Sequence, residues 1–173
     1  LRSHQRAVAG ITCRAFEQET FGVEVTRRDG SRFTFAVDEH PRRDSSMEKL
    51  SSIKPLHPEI EGFSITAGNA GGVNDGAGAV VIADRAFAAA NGAEAMATIR
   101  SWAAIGVPPA DTGLAPPLAI RKALDRAGLA VADVALWEIN EAFASVPVAA
   151  VRELGLDEEL VNPLGSGCSL GHP

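Results

Sequence analysis

The sequence predicts an α/β fold, a sheet carrying helices on its faces. Two observations predict it. Short β-patterned segments alternate with helix-patterned ones along most of the chain. Hydrophobic residues make up 46% of 173 positions, enough for a real core. Alanine alone fills 30 positions, while Tyr is absent and only two Trp occur.

Taken in order, residues 1–16 are helix-compatible, with Leu1, Val8, Ile11 and Ala15 near one face. Val23 and Val25 alternate with charged residues, Asp29-Gly30 signals a two-residue turn, and Phe33, Phe35 and Val37 alternate again. That pattern predicts a β-hairpin. Asp38–Pro58 holds three Pro and six Lys, Arg or His, and reads as surface loop around a helical piece at Ser46–Ile53. Phe63–Thr66 reads as a short strand, followed by six glycines between positions 62 and 78. An Ala-rich helix is expected around Arg85–Asn91, and Ala97–Val107 reads as a long buried strand closed by Pro108-Pro109. Pro116–Gly128 is a helix with Pro at its start and Gly as its stop. Val134–Ile139 is a strand, Glu141–Leu154 a helix and Leu160–Asn162 a strand stub. Pro147 falls inside that helix and predicts a kink, because it cannot donate to the Phe143 carbonyl.

Composition narrows the function. No apolar run approaches the roughly 18 residues of a membrane span. The net charge of −6 argues against a nucleic-acid partner. Two Cys, with no zinc-ligand spacing, favour a reducing compartment, hence the cytoplasm. Residues 1–60 carry ten Lys or Arg against nine Asp or Glu; residues 61–173 carry six against thirteen. An anionic ligand is therefore best sought in the first third, although a solvated face gives the same asymmetry.

Three segments could do chemistry. The glycine run after Thr66 is neither a dinucleotide fingerprint nor a P-loop, and reads as tight packing or as a ligand loop. Asn140-Glu141-Ala142-Phe143 stands where a strand hands over to a helix, the place where α/β sheets open ligand crevices. On these residues alone Asn140 is either a helix N-cap or a catalytic group. In Gly171-His172-Pro173, a constrained backbone would fix an imidazole that must not wander. Cys168 lies four residues earlier. A buried, inert thiol is its expected role, against a Cys168/His172 hydrolase pair. His4, His40 and His57 sit singly in polar context and are expected at the surface. No His or carboxylate set has metal-site spacing.

Together the segments resemble the thiolase family, the acetyl-CoA acetyltransferases and 3-ketoacyl-CoA thiolases. The resemblance rests on Ser3-His4-Gln5-Arg6-Ala7, Thr66-Ala67-Gly68-Asn69, Val73-Asn74-Asp75-Gly76-Ala77, Asn140-Glu141-Ala142-Phe143-Ala144 and Gly171-His172-Pro173, in thiolase order. It implies a layered thiolase-like α/β fold, present in part. Residues 1–62 would be a loop-domain remainder with the hairpin, 63–93 the end of the N-terminal domain, and 94–173 the first half of the C-terminal domain. It implies acyl transfer between a Cys thiolate and coenzyme A, with acyl-CoA as substrate and no bound cofactor. His172 would be the base and Asn140 would hold an oxyanion-hole water. Gly68, Ala70 and Gly71 would line the pantetheine arm, and Arg42 or Arg43 would meet phosphate. A homodimer or homotetramer is the family habit.

Departures are visible too. Neither Cys13 nor Cys168 matches the family's nucleophile or its second catalytic Cys. Gly71 stands where many thiolases have Ser. The chain is accordingly expected to be a portion of a longer or multi-chain thiolase, inactive and poorly folded or self-associating alone. The contrasting expectation is a non-catalytic thiolase-like protein that binds acyl-CoA or lipid, or serves in assembly.

Overall fold

The computed structural model describes residues 1–173. The first helix, α1, spans Arg2–Thr12. Its inward face is His4, Ala7 and Gly10, spaced three apart, and not the expected Val8/Ile11 face. Small residues win that face because the chain passes very close to it. A Cβ on Gly10 would lie 2.9 Å from the Phe16 ring, and one on Gly165 would lie 3.0 Å from the Ala7 methyl.

The expected hairpin forms from β1 (Val23–Thr26) and β2 (Arg32–Phe35), paired antiparallel from Val23 opposite Phe35 to Thr26 opposite Arg32. Its connection is longer than the predicted two residues. Arg27 N–H donates to the Ser31 carbonyl at 2.8 Å, leaving Arg28, Asp29 and Gly30 as the loop. Gly30 takes φ +84°, the left-handed residue that such three-residue connections need. Helix α2 (Met47–Ser51) is capped by Ser46, and α3 (Arg85–Ala90) by Asp84, whose carboxylate accepts from Phe87 N–H at 2.7 Å.

In the C-terminal half, α4 (Ala115–Ala127) and α5 (Ser145–Leu154) both end on left-handed glycines, Gly128 and Gly155. Between them runs the segment 134–140, which bends at Ala135. Trp137, Ile139, Val146, Ala150, Leu156 and Val161 form the hydrophobic core, with Ile120 and Leu124 of α4 packed against it. A short α6 (Gly167–Leu170) lies against α1 and leads into Gly171-His172-Pro173.

Two expectations are corrected here. Pro147 causes no kink. The helix starts at Ser145, not Glu141, so Pro147 is its third residue, where the missing N–H would have had no helical partner. The strands expected at Phe63–Thr66, Ala97–Val107, Val134–Ile139 and Leu160–Asn162 build no ladders; Leu160 instead closes a 3-10 turn, Glu158–Leu160, and Asn162 is left-handed at φ +49°. Thr66 makes an isolated bridge to Pro55, and Trp137 a parallel one to Val161. Ala97–Val107 is not buried: Trp102 is 71% exposed, and side chains of α4 take its carbonyls. Arg126 donates to Trp102 O at 2.6 Å and Lys122 to Ala104 O at 3.2 Å. A ladder needs a neighbouring strand about 4.8 Å away, and only β1 and β2 supply one another with it. No helix is long and apolar enough to cross a membrane.

Candidate active site

The site is built where the glycine run, the 140–143 segment and the Gly-His-Pro segment meet. The run turns at Thr66–Asn69. There the Asn69 side chain accepts from Thr66 N–H at 2.7 Å and donates to Ser64 O at 2.9 Å, which fixes the direction in which the glycines leave the turn. Ala70 then bridges antiparallel to Phe143, with Gly71 N–H donating to Ala142 O at 2.8 Å and Ala144 N–H to Asn69 O at 2.7 Å. Val73 bridges in parallel to His172.

Gly71 sits at the centre of this arrangement. A Cβ there would meet Glu141 O at 3.2 Å, Ala142 O at 3.3 Å and the His172 Cβ at 3.3 Å. Close packing is thus the role of this glycine. Gly68 is packed in the same way, its absent Cβ falling 2.8 Å from both Leu50 and Ile53.

His172 is half-buried on a fixed backbone. Its N–H donates to Asn74 Oδ1 at 3.2 Å. Gly171, at φ +93°, lies so near the Asn74 amide that a Cβ would come within 2.9 Å of it. Beyond that backbone bond, the His172 imidazole makes no hydrogen bond within the chain.

Asn140 is not a helix cap. The N-cap of α5 is Ala144, four residues later, and it offers no capping side chain. Asn140 instead is exposed, and its Oδ1 would stand 2.6 Å from a Cβ on Gly167. It lines a cleft of 420 Å³ together with Thr112, Pro116, Ala142 and Phe143.

Other predicted site residues fall elsewhere. Arg42 and Arg43 are exposed, and the polar contact of Arg42 is its backbone N–H on His4 Nδ1 at 3.1 Å. The surface expectation for His4 and His40 is overturned. His4 is 7% exposed, and the imidazole of His40 lies half-buried with Nδ1 3.1 Å from Ser169 O. Both rings are drawn in because the 38–42 loop packs down on α1 and α6. Burial holds the His4 imidazole below its ordinary pKa, helped by the neighbouring positive charges of His40 and Arg42. His57 is exposed and paired with Glu59 at 3.0 Å. Cys168 is buried and donates to Glu141 O at 3.3 Å; burial first, then the Glu141 charge, pushes its thiol up to about 11. That agrees with an inert thiol and not with a nucleophile. No group of three or more His, Cys, Asp or Glu could hold a metal ion.

Sequence pattern gives no sign of the Glu141 side chain's role, and only one local signal of that of Asn162. Asn162 is 2% exposed, at φ +49°, and its amide mimics a strand: Oδ1 accepts from Ile139 N–H and Nδ2 donates to Ile139 O, both at 2.7 Å. The one local signal is Asn162-Pro163, a dipeptide that breaks regular structure and leaves the Asn amide free for such pairing.

Comparison with known proteins gives a consistent result. The family model described as thiolase, N-terminal domain, matches residues 1–86, and that of thiolase, C-terminal domain, residues 93–173. The chain is 43% identical over its whole length to a beta-ketothiolase of Cupriavidus necator and to an acetyl-CoA acetyltransferase of Escherichia coli. It covers 43% of each, so it spans less than half the length of these relatives. A crystal structure of the Bacillus anthracis acetyl-CoA acetyltransferase superposes with a TM-score of 0.90 at 40% identity, over 99% of this chain and 43% of that one.

Proposed function

The chain belongs to the thiolase family, and from that premise we propose that the protein carrying it is an acyl-CoA acyltransferase of the thiolase type. In this reading a cysteine thiolate outside residues 1–173 attacks the 3-keto carbon of 3-ketoacyl-CoA, the C2–C3 bond breaks, the departing α-carbon takes a proton to leave as acetyl-CoA, and the acyl group on sulfur then passes to the thiol of coenzyme A; the condensation is the reverse. A free thiol with pKa of about 8.5 is mostly protonated near neutrality, so it needs a base. His172 is that base: it accepts the S–H proton as sulfur attacks the carbonyl carbon, and afterwards donates toward the thioester oxygen. Asn140 holds a water that donates to the oxyanion. Preorganised donors of this kind stabilise charge as it develops.

The pantetheine arm would run along Gly68, Ala70 and Gly71, all three half-buried. Arg42 and Arg43, both solvent-facing, are available to coenzyme A phosphates. The division into 1–62, 63–93 and 94–173, a homo-oligomeric assembly and a cytoplasmic setting belong to the same reading.

One observation supports it above the rest. Gly71 wedges between the Glu141 and Ala142 carbonyls and the His172 Cβ, so three segments far apart in sequence converge at Glu141, the residue after Asn140. Pro147 leaves α5 intact, so it gives no ground for the contrasting non-catalytic reading.

The test is thiolysis of acetoacetyl-CoA by the protein that carries this segment. His172→Ala is expected to abolish turnover, and Asn140→Ala to lower kcat by roughly 10²–10³ with KM little changed. Full turnover in His172→Ala would overturn the acyl-transfer reading.

A further inference from the structure

The thiolase-like segment Ser3-His4-Gln5-Arg6-Ala7 has no part in the chemistry above, yet it opens α1 directly behind the site. Three of its polar residues each reach a different piece of chain. The Ser3 hydroxyl donates to Glu141 Oε2, and Ser169 Oγ lies 2.7 Å from Ser3 Oγ. His4 holds the 38–42 loop through Arg42 N–H. Arg6 donates to Glu158 O at 3.2 Å and to Glu159 Oε2 at 2.8 Å.

Glu141 is the point where these ties close on the site. It is 8% exposed, next in sequence to Asn140, and every polar part of it is used. Its N–H donates to Ser166 Oγ at 3.3 Å and its carbonyl accepts from Cys168, so its backbone is tied to both sides of the start of α6. Its carboxylate accepts from Ser3 and stands 3.5 Å from the Asn162 amide nitrogen. α6 in turn delivers Gly171 and His172. A buried carboxylate is costly unless its partners are in place, so it favours the one arrangement that satisfies it.

We propose that Glu141 is a positioning residue: its carboxylate, held by Ser3 of α1, fixes Asn140 and the α6–His172 segment relative to each other. Glu141 touches no reacting atom in this arrangement, and a neutral acceptor of the same shape serves as well. The inference rests on the acyl-transfer reading for its meaning, but its geometry can be examined without turnover.

The experiment monitors the His172 ring protons and the Asn140 side-chain amide by NMR in wild type, Glu141→Ala, Ser3→Ala and Glu141→Gln. Leu124→Ala, in the core away from this network, serves as a control for general destabilisation. Glu141→Ala and Ser3→Ala are expected to shift or broaden both sets of signals. Glu141→Gln keeps them near their wild-type positions, because its carbonyl still accepts from Ser3. Should Glu141→Ala fail to fold, Ser3→Ala, which removes a single hydroxyl, carries the comparison. Unmoved signals in a folded Ser3→Ala or Glu141→Ala variant overturn the proposal, as do equal movements in Leu124→Ala. Acetoacetyl-CoA thiolysis on the same set separates the two ideas. Expected signal changes without any His172-dependent turnover in wild type would refute acyl transfer alone. Turnover lost to the same degree in Glu141→Gln as in Glu141→Ala would make Glu141 a proton donor or acceptor and refute the positioning role.

Discussion

At the scale of single residues, chemistry here is decided by which polar groups lose water. His4 Nδ1 can accept from Arg42 N–H only while it carries no proton. Its folded-state pKa lies below the ordinary 6.5, so below that pH the unfolded chain binds more protons than the folded one. Stability from this contact is therefore fully present above about pH 6.5 and is lost as pH falls through the lowered folded value. Urea midpoints at about pH 7.5 and about pH 5 should show this loss. It should be smaller in His4→Asn, whose amide oxygen accepts without titrating. Cys168 gives the opposite kind of expectation. With its thiol pushed up to about 11 and buried, it should resist iodoacetamide in the native chain while exposed Cys13 is alkylated, as peptide mass mapping would read. Residue type anticipates the inert Cys168 but puts His4 at the surface, because the neighbours of a lone His on a helix are tertiary facts.

At the scale of elements, position within a helix or turn outweighs residue type. Pro147 and Gly165 make the contrast. Pro147 occupies the first turn of α5, so Pro147→Ala should shift stability by less than about 1 kcal/mol. Gly165 sits at φ +87°, and a Cβ there would fall 2.6 Å from Ser169 Oγ and 2.9 Å from Ser3 O. Gly165→Ala should therefore cost on the order of 2–4 kcal/mol, from left-handed strain and collision together. Thermal melts of the two variants side by side check both. Helices α2, α3 and α4 and the hairpin were legible because capping residues, proline, glycine and periodicity act within a few residues. Beyond the hairpin, the expected strands contribute only isolated bridges, at Thr66, Trp137 and Val161. Whether Ala97–Val107 pairs depends on a neighbour that local pattern does not name.

At the scale of the whole molecule, the fold leaves much apolar surface uncovered. Only 16 of 173 residues are buried, and the segment 80–102 presents Val81 at 98%, Ile82 at 73% and Trp102 at 71% exposure. Surfaces of this kind bind apolar partners or each other. The 173-residue chain is therefore expected to bind the dye ANS and to associate with rising concentration in sedimentation experiments. A compact monomer across the concentration range, with a sharp thermal transition and no dye binding, would contradict this.

Residue type and near-neighbour spacing suffice for the order of helices, the hairpin, the family resemblance and the short segments bearing Asn140 and His172. They do not reach the contacts that build the site. Packing alone brings Gly71 against His172, buries Glu141 under Ser3, lets Asn162 stand in for a strand and dries His4. Each of these is a contact between positions roughly 20 to 140 apart in the chain. Such contacts are set by how whole elements pack, since only burial makes an unpaired polar group expensive enough to choose its partner.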